Sequence, residues 1–270
     1  MKLNKELVRI ISNLFGDGVI SVDYKGYIHT AYYNQNKELI NSFIKDIQKV
    51  FGIKNLTVAV NKNTSFVSVP TPIGLILLSL VQDFNSKRCR IPHFIKEADQ
   101  SLKIEFLRKF FDDEAYARYA PPHRYIELTL SNKEFLEDIT SLLLELEITP
   151  SRIYYKNLRG FDTYYFYIKG HEELRKFHKI IGFNHPDKKE TLIKIVKNPG
   201  RFSYKSGETK ERILKLLKEK HYLSVEIAKS LKRRLCTINH FLKILEKEGK
   251  IKCIGKKGKF RLYEVKTNVI

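Results

Sequence analysis

The chain has 270 residues, of which 43% are hydrophobic and 30% are charged, and its formal net charge is +20. This length predicts two or three domains, and the composition excludes a chain that is disordered throughout. The longest apolar stretch, residues 73–81, is far too short to cross a membrane, and residues 1–15 lack the cleavage site of a signal peptide. We therefore expect a cytoplasmic protein without a membrane segment.

Apolar spacing predicts the same order of elements twice along residues 1–198. The first series comprises a helix over 3–14, strands at 19–24 and 27–34, a helix over 37–51, strands at 56–61 and 65–69, and a helix over 72–84. The second series comprises a helix over 102–114, strands at 116–119 and 124–130, a helix over 133–146, strands at 152–156 and 164–169, and a helix over 172–181. The predicted fold class is therefore α+β, with two αββαββα repeats at 1–98 and 99–198.

A third module follows a linker rich in helix-breaking residues at 199–207. Helices are predicted over 210–218, 224–231 and 236–248, followed by strands at 250–254 and 259–265. Residues 223–231 read LSVEIAKSL, and residues 237–251 read TINHFLKILEKEGKI. These segments and this order resemble winged helix-turn-helix domains, so residues 208–270 are expected to form a DNA-binding domain of that kind.

Positive charge is concentrated in this last module. Residues 201–270 contain 20 basic and 7 acidic residues and therefore carry +13 of the net +20. A basic proteome or a hot habitat would raise the lysine content evenly, whereas a basic patch on one module suits the phosphates of double-stranded DNA. We therefore expect DNA as the partner; the alternative is that the module binds protein, as some winged helices do.

A winged helix places one helix in the major groove, where its polar side chains meet base edges. In the predicted helix 236–248, Ile238, Leu242 and Leu245 face inward and leave a polar face outward. Basic residues before this helix and in the hairpin would contact phosphates. The predicted nucleic-acid contacts of this module are Lys232, Arg233, Arg234, Thr237, Asn239, His240, Lys243, Lys256, Lys257, Lys259 and Arg261.

Acidic residues close the first predicted helix of each repeat. Residues 10–18 read IISNLFGDG, and residues 107–115, which lie 97 positions further along, read LRKFFDDEA. These two motifs resemble those of the LAGLIDADG homing endonuclease family. The resemblance implies two motif helices packed at a pseudo-twofold axis and two sheets that form a saddle over the DNA major groove. It also implies a monomer that cuts a long, non-palindromic site.

Carried over to the matching positions, the resemblance assigns catalytic and metal-binding roles to Asp17 and Glu114. The backbone carbonyls of Gly16 and Asp113 would face the same metal. Such oxygen ligands suit Mg²⁺ or another divalent cation, which can activate water and stabilise the transition state of phosphodiester hydrolysis. The alternative is that these acids only form a turn or a helix end. Acidic residues at a helix C-terminus are unfavourable by about 0.3–1 kcal/mol each, however, which suggests that they have a functional role.

Several motif positions depart from the family pattern. The third position, which is usually small because the two backbones approach closely there, is Ser12 in one motif and Lys109 in the other. Serine suits a tight helix interface, whereas a lysine does not. Asn13 replaces an apolar residue, and the closing glycine is kept as Gly18 but becomes Ala115 in the second motif. We therefore expect an altered helix interface and an altered metal geometry.

Strand alternation places aromatic and basic residues together on the second predicted sheet. Arg152, Tyr154 and Lys156 share one face of their strand, and we predict that they contact nucleic acid. The same alternation groups Tyr165, Tyr167 and Lys169, and it separates Tyr125, Glu127 and Thr129 from Ile126 and Leu128. The alternative is a partly exposed sheet whose tyrosines reflect ordinary strand preference.

The resemblance and the charge together predict a site-specific DNA endonuclease. The chain begins at Met1 without the Cys or Ser of a splice junction, so we expect it to be free-standing. Cys89, Cys236 and Cys253 form no closely spaced pair, which argues against a disulfide framework or a zinc site. One alternative is a non-cleaving transcriptional regulator, comparable to the bacterial sporulation regulators that join a degenerate core of this kind to a helix-turn-helix. RNA processing of the maturase type is another.

Overall fold

The computed structural model describes residues 2–61, 63–121, 123–158, 160–198 and 208–266. Its internal contacts divide the chain into two compact units, Met1–Asn198 and Pro199–Ile270. Each unit has a hydrophobic core of its own. The predicted linker at 199–207 lies outside the described residues. Over the part of the chain that is described, no helix combines the length and the apolar character needed to cross a bilayer.

The first unit begins with seven elements in the predicted order. They are α1 (Lys5–Phe15), β1 (Gly18–Val22), β2 (Ile28–Asn34), α2 (Lys37–Phe51), β3 (Val58–Asn61), β4 (Thr64–Val69) and α3 (Thr71–Val81). The side chains of Asn4 and Asn36 accept hydrogen bonds from the first backbone amides of α1 and α2, and Gly52 ends α2 in a left-handed conformation. The four strands form an antiparallel sheet in the order β1-β2-β4-β3.

The same arrangement follows a second time, with two additional helices. Its elements are α4 (His93–Lys96), α5 (Gln100–Glu114), β5 (Ala115–Ala120), β6 (His123–Leu130), α6 (Lys133–Glu145), β7 (Tyr154–Leu158), β8 (Phe161–Lys169), α7 (His171–Ile180) and α8 (Pro186–Lys197). The strand order β5-β6-β8-β7 is equivalent to that of the first sheet. The predicted strand at 152–156 begins at Tyr154, so Arg152 lies just before it, and the sequence pattern did not predict α4 or α8.

The motif helices α1 and α5 lie side by side in the core of the first unit. Ser12 Oγ donates a hydrogen bond of 2.6 Å across the helix pair to the carbonyl oxygen of Phe106. Arg9 joins α1 to both neighbouring helices, because it pairs with Asp46 on α2 and with Glu105 on α5. The pairing of α1 with α5 fixes the relation between the two repeats.

The second unit contains three helices and a small antiparallel sheet. Its elements are α9 (Glu208–Glu219), β9 (Tyr222–Leu223), α10 (Ser224–Ser230), α11 (Leu235–Lys247), β10 (Ile251–Lys257) and β11 (Phe260–Val265). The strands pair in the order β10-β11-β9, so the short β9 adds a strand that the sequence pattern did not predict. The hairpin turn lies closer to Gly258 than predicted, because β10 continues to Lys257 past a register shift between Cys253 and Gly255.

Candidate functional site

The ends of α1 and α5 meet at Gly16 and Asp113. A Cβ atom added to Gly16 would lie 2.8 Å from the Cβ of Asp113, so a larger residue than glycine would push the helix ends apart. Asp17 follows Gly16 directly, and Glu114 is the last residue of α5. The close contact therefore gathers Asp17, Asp112, Asp113 and Glu114 at one place, which we call the acidic centre.

Asp113 is held by three side-chain donors. Its carboxylate accepts hydrogen bonds from Asn13 Nδ2 at 2.9 Å, from Tyr32 Oη at 2.7 Å and from Asn34 Nδ2 at 3.4 Å. Asn34 Nδ2 also donates to Asp17 Oδ2 at 2.9 Å and so links the two carboxylates. Burial, together with the nearby charge of Asp17, raises the pKa of Asp113 well above its ordinary value.

The carboxylates predicted to be catalytic also have raised pKa values. Burial raises the pKa of Asp17, although the positive charge of Lys188 and the hydrogen bond from Asn34 oppose the shift. Burial also raises the pKa of Glu114, to about 7, and repulsion from Asp17 acts in the same direction. The charge of Asp17 thus acts on Glu114, and shifted pKa values of this kind are frequent at functional sites.

A lysine that the sequence pattern did not single out lies at the acidic centre. Lys188, near the start of α8, donates from Nζ to the carbonyl oxygens of Phe111 at 3.4 Å, of Asp112, and of Asp113 at 3.1 Å. These carbonyls belong to the last turn of α5, where the helix dipole favours a positive charge. Burial lowers the pKa of Lys188, and the surrounding carboxylates oppose that shift.

The carboxylate of Asp112 helps to position Lys188 by binding the segment before α8. This carboxylate is 1% exposed and accepts hydrogen bonds from the backbone amides of Asn184 at 2.7 Å and His185 at 2.9 Å. Asn184 Nδ2 adds a third donor at 3.0 Å. These bonds fix the chain just before α8, and so they hold Lys188 against the end of α5.

Two cavities flank the acidic centre at equivalent positions of the two repeats. The Asp17 cavity has a volume of about 330 Å³ and is lined by Asp17, Tyr33, Asn34, Gln35, Thr64, Asp112, Asp113, His185 and Lys188. The Glu114 cavity has a volume of about 180 Å³ and is lined by Phe15, Gly16, Ser86, Cys89, Phe110, Glu114, Thr129, Leu130, Ser131, Asn132 and Phe135. Residues 15, 16 and 114 of the motifs line the Glu114 cavity, and residues 17, 112 and 113 line the Asp17 cavity. Among the described lining residues, a lysine and a histidine are present in the Asp17 cavity and absent from the Glu114 cavity.

The donor atoms fit a divalent cation on one side of the acidic centre and not on the other. Glu114 and Gly16 line the same cavity, and a carboxylate and a backbone carbonyl are kinds of oxygen donor that suit a hard cation. In the Asp17 cavity, the carbonyl of Asp113 already accepts a hydrogen bond from Lys188. Within the described ranges, no three His, Cys, Asp or Glu residues are grouped so that they could hold a metal ion.

The ammonium of Lys109 lies against α2. Lys109 is 2% exposed, and its ammonium reaches α2, where Nζ donates to Ser42 Oγ at 2.8 Å. The interface keeps a small residue at the equivalent position, Ser12, which hydrogen-bonds across it. A long side chain is tolerated at position 109 because its charged end lies away from the point where the two backbones meet.

Two other departures from the motif pattern have a clear structural basis. Asn13 is fully buried and uses its amide to bind Asp113, so its polar side chain joins the two motif helices. At Gly18 an added Cβ would lie 2.4 Å from the Cα of Leu14, which excludes a side chain there. Ala115 has extended backbone angles and packs in the core with 3% exposure, so the second motif does not need a glycine.

Sequence reasoning missed Tyr32, Asn34, His185 and Lys188 as residues of the site. Tyr32 and Asn34 alternate on β2 and are buried although polar, which is a signal that strand periodicity could have revealed. His185 and Lys188 gave no such signal, since they belong to the start of an unpredicted helix. Their role depends on how that helix packs against α5.

The second sheet has the aromatic and basic face that its alternation predicts. Ile126 and Leu128 are buried on one side, while the rings of Tyr154 and Tyr165 stack at 5.4 Å on the other. Lys156 Nζ lies 4.7 Å from the ring centre of Tyr165. The guanidinium of Arg152 lies 5.1 Å from the ring centre of Tyr154, although Arg152 precedes the strand.

The second unit exposes most of its predicted contacts. On α11, Ile238, Leu242 and Leu245 are fully buried, so the opposite face of the helix points outward. The exposed residues are Lys232, Arg234, Asn239, His240, Lys243, Lys256, Lys257, Lys259 and Arg261, whereas Arg233 and Thr237 are half-buried. The lysines and arginines among them lie before α11, on α11 at Lys243 and along the β10–β11 hairpin.

Comparison with known proteins identifies one part of the chain. Residues 101–182 match the family model of the LAGLIDADG-like domain. The chain is 29% identical over 198 residues to the probable translation initiation factor IF-2 of Methanocaldococcus jannaschii, and 28% identical over 194 residues to the replication factor C small subunit of Thermococcus kodakarensis. These matches cover 68% and 72% of the chain but only 15% and 21% of the two relatives.

Among solved structures, the chain is similar to the homing endonuclease I-DmoI. The structure of I-DmoI in complex with DNA and Ca gives a TM-score of 0.52 at 11% identity, over 70% of this chain and 97% of that one. The structure in complex with DNA and Mn gives 0.50 at 12% identity, over 66% and 96%. Residues 101–182 therefore match a LAGLIDADG-like domain, and the chain has an α+β fold similar to that of a homing endonuclease.

Proposed function

We propose that this protein is a DNA endonuclease that hydrolyses phosphodiester bonds with the help of a divalent cation. The observation that carries the proposal is the contact between α1 and α5 at Gly16 and Asp113, which brings Asp17 and Glu114 to one acidic centre. Its fold is that of a homing endonuclease whose structures contain DNA with Ca or Mn. Fold alone does not establish activity, so the proposal depends on the site.

Within the acidic centre, Glu114 and the Gly16 carbonyl would hold Mg²⁺ or a similar cation. When bound, the cation would supply an activated water and stabilise negative charge on the phosphate. Asn34 keeps the Asp17 carboxylate in place and also donates to Asp113 beside it. Lys188 places a positive charge at the same centre, where it can attract a phosphate group.

The second unit and the second sheet would each bind double-stranded DNA. The polar face of α11 would meet base edges as in a winged helix, and Lys256, Lys257 and Lys259 would contact phosphates from the hairpin. Arg152, Tyr154 and Lys156 would extend the contact along the second sheet. The chain would act as a monomer, because it supplies both motif helices itself.

The named activities of the curated relatives do not extend to this chain. Initiation of translation and replication are unrelated tasks, and the chain matches only 15% and 21% of the two proteins. What each relative shares with the chain is an aligned segment of 198 or 194 residues.

Cleavage of a randomised duplex DNA library in Mg²⁺ tests the proposal. The unaltered protein should produce discrete cuts, and both Asp17→Asn and Glu114→Gln should lose them. Asp187→Asn, which changes an exposed acid on α8, is the matched control and should cut normally. Tight binding without cuts, unaffected by the first two substitutions, would instead indicate a non-cleaving regulator.

A further inference from the structure

The two repeats differ in one charged residue at the acidic centre. His185 and Lys188 line the Asp17 cavity three positions apart, and Ser86 and Cys89 line the Glu114 cavity at the same spacing. Among the described residues that line the Glu114 cavity there is no lysine or arginine. The Glu114 cavity therefore has no counterpart to the lysine that lies at the end of α5.

The surroundings of the Lys188 ammonium are those of a cation site. Three backbone carbonyls of α5 accept its hydrogen bonds, and the charges of Asp17, Asp112, Asp113 and Glu114 act on it. Carbonyl and carboxylate oxygens are also the ligands that hard divalent cations prefer. The ammonium thus occupies a position whose donor atoms would otherwise suit a metal ion.

We propose that the Lys188 ammonium replaces one of the two divalent cations that equivalent cavities would hold, so that the acidic centre binds a single divalent cation, at Glu114. This rests on the proposed function, which assigns Glu114 and the Gly16 carbonyl to the metal. Lys188 is then a built-in cation on the Asp17 side. Loss of its charge should open a second cation site formed by Asp17, the Asp113 carbonyl and neighbouring oxygens.

Counting Mn²⁺ ions bound to the full chain tests this inference, with the free ion measured by electron paramagnetic resonance. The unaltered protein should bind one Mn²⁺ tightly, and Lys188→Met should bind two. Lys188→Arg keeps the charge and should bind one, as should Lys189→Met, which changes the exposed neighbouring lysine. Two ions in the unaltered protein, or no gain in Lys188→Met, would overturn the inference.

Further variants locate the ions and separate this test from the proposed function. In the Lys188→Met background, Asp17→Asn should remove the gained ion, and Glu114→Gln should remove the original one. If Lys188→Met fails to fold by circular dichroism, Lys188→Gln removes the same charge and keeps a hydrogen-bond donor. If Lys188→Met gains an ion but the unaltered protein cuts no DNA, the proposed nuclease activity is refuted and the inference about Lys188 stands. If the unaltered protein cuts DNA but Lys188→Met gains no ion, the inference about Lys188 is refuted and the nuclease activity stands.

Discussion

At the scale of single residues, two departures from the motif pattern compensate for each other. Asn13 stands where an apolar residue is usual, and Asp113 occupies the position that is Gly16 in the first motif. Their side chains form a hydrogen bond of 2.9 Å between the motif helices. Either residue alone would leave a buried polar group without this partner, which explains why the two occur together.

This pairing predicts a measurable coupling. Asn13→Leu should lower the free energy of unfolding by about 1–3 kcal/mol, because it removes a donor from a carboxylate that is largely shielded from water. In an Asp113→Ala background the same substitution should cost at least about 1 kcal/mol less. Urea unfolding of the unaltered protein, both single variants and the double variant measures the difference. If the losses in free energy of unfolding of the two single variants sum to that of the double variant within about 0.5 kcal/mol, the pairing is contradicted.

The sequence alone predicted the acids of the site but not the residues that hold them. Asp17 and Glu114 lie in short motifs that can be read directly. Lys188 becomes relevant only because Asp112 anchors the turn before α8, which is a tertiary contact. No local pattern encodes such a contact, and the contact of Lys109 with Ser42 on α2 is likewise a tertiary one.

At the scale of elements, the buried carboxylate of Asp138 on α6 binds residues 90–96, which precede α5. Asp138 accepts hydrogen bonds from Arg90 at 2.7 and 2.8 Å, from Lys96 at 2.6 Å and from the backbone amide of Ile91 at 3.1 Å. Burial would raise the pKa of Asp138, but the bonds from Arg90 and Lys96 outweigh it and lower the pKa below its ordinary value. The folded state therefore favours the ionised carboxylate.

The lowered pKa of Asp138 predicts how its ion pairs respond to acid. Their contribution to the free energy of unfolding is complete above the ordinary aspartate pKa, and it is lost as the pH falls through the lower pKa of the folded state. Asp138→Asn should therefore cost about 1–3 kcal/mol at pH 6 and clearly less at pH 3. Urea unfolding at both pH values measures this, with the exposed Asp187→Asn as control. A cost that is equal at both pH values would show that charge is not involved.

Most elements of the first unit follow from periodicity, and the exceptions share a cause. The order of helices and strands in both repeats is as predicted, because strands such as β4 alternate and helices such as α1 and α2 have one apolar face. The four-residue α4 is too short to show a period, and α8 begins with a proline and a run of charges. Such segments become helical through their contacts rather than through their pattern.

At the scale of the whole molecule, charge separates the two units. Residues 201–270 carry +13 of the net +20, and the lysines of the β10–β11 hairpin are exposed. Phosphate contacts release counterions, so the logarithm of the DNA affinity should fall linearly with the logarithm of the salt concentration. The second unit should therefore contribute a large part of this salt dependence.

Replacing Lys256, Lys257 and Lys259 together by alanine should reduce that salt slope by about 0.9 for each phosphate that a lysine no longer neutralises. Fluorescence anisotropy with a labelled duplex, at several salt concentrations, measures the slope. Lys215, Lys218 and Lys247 are equally exposed in the same unit but lie away from the hairpin, and their replacement by alanine is the matched control. Equal reductions in both variants would show that only net charge matters.

The two cavities also predict unequal treatment of the two DNA strands. The Asp17 cavity contains Lys188 and His185, whereas the Glu114 cavity is lined largely by aromatic and other weakly polar residues. If each cavity acts on one strand, the cation and the ammonium will not stabilise the two transition states equally. A difference of about 1.4 kcal/mol would make one strand react tenfold faster.

Single-turnover cleavage of a duplex selected from the library, with each strand labelled in turn, measures this ratio. One strand should be cut at least about tenfold faster, so that nicked DNA accumulates before the double-strand break. Lys188→Met should bring the two rates closer together, because both cavities could then hold a cation, whereas Lys189→Met should leave the ratio unchanged. Equal rates in the unaltered protein would mean that the difference in residues between the two cavities does not affect the rate of cleavage of either strand.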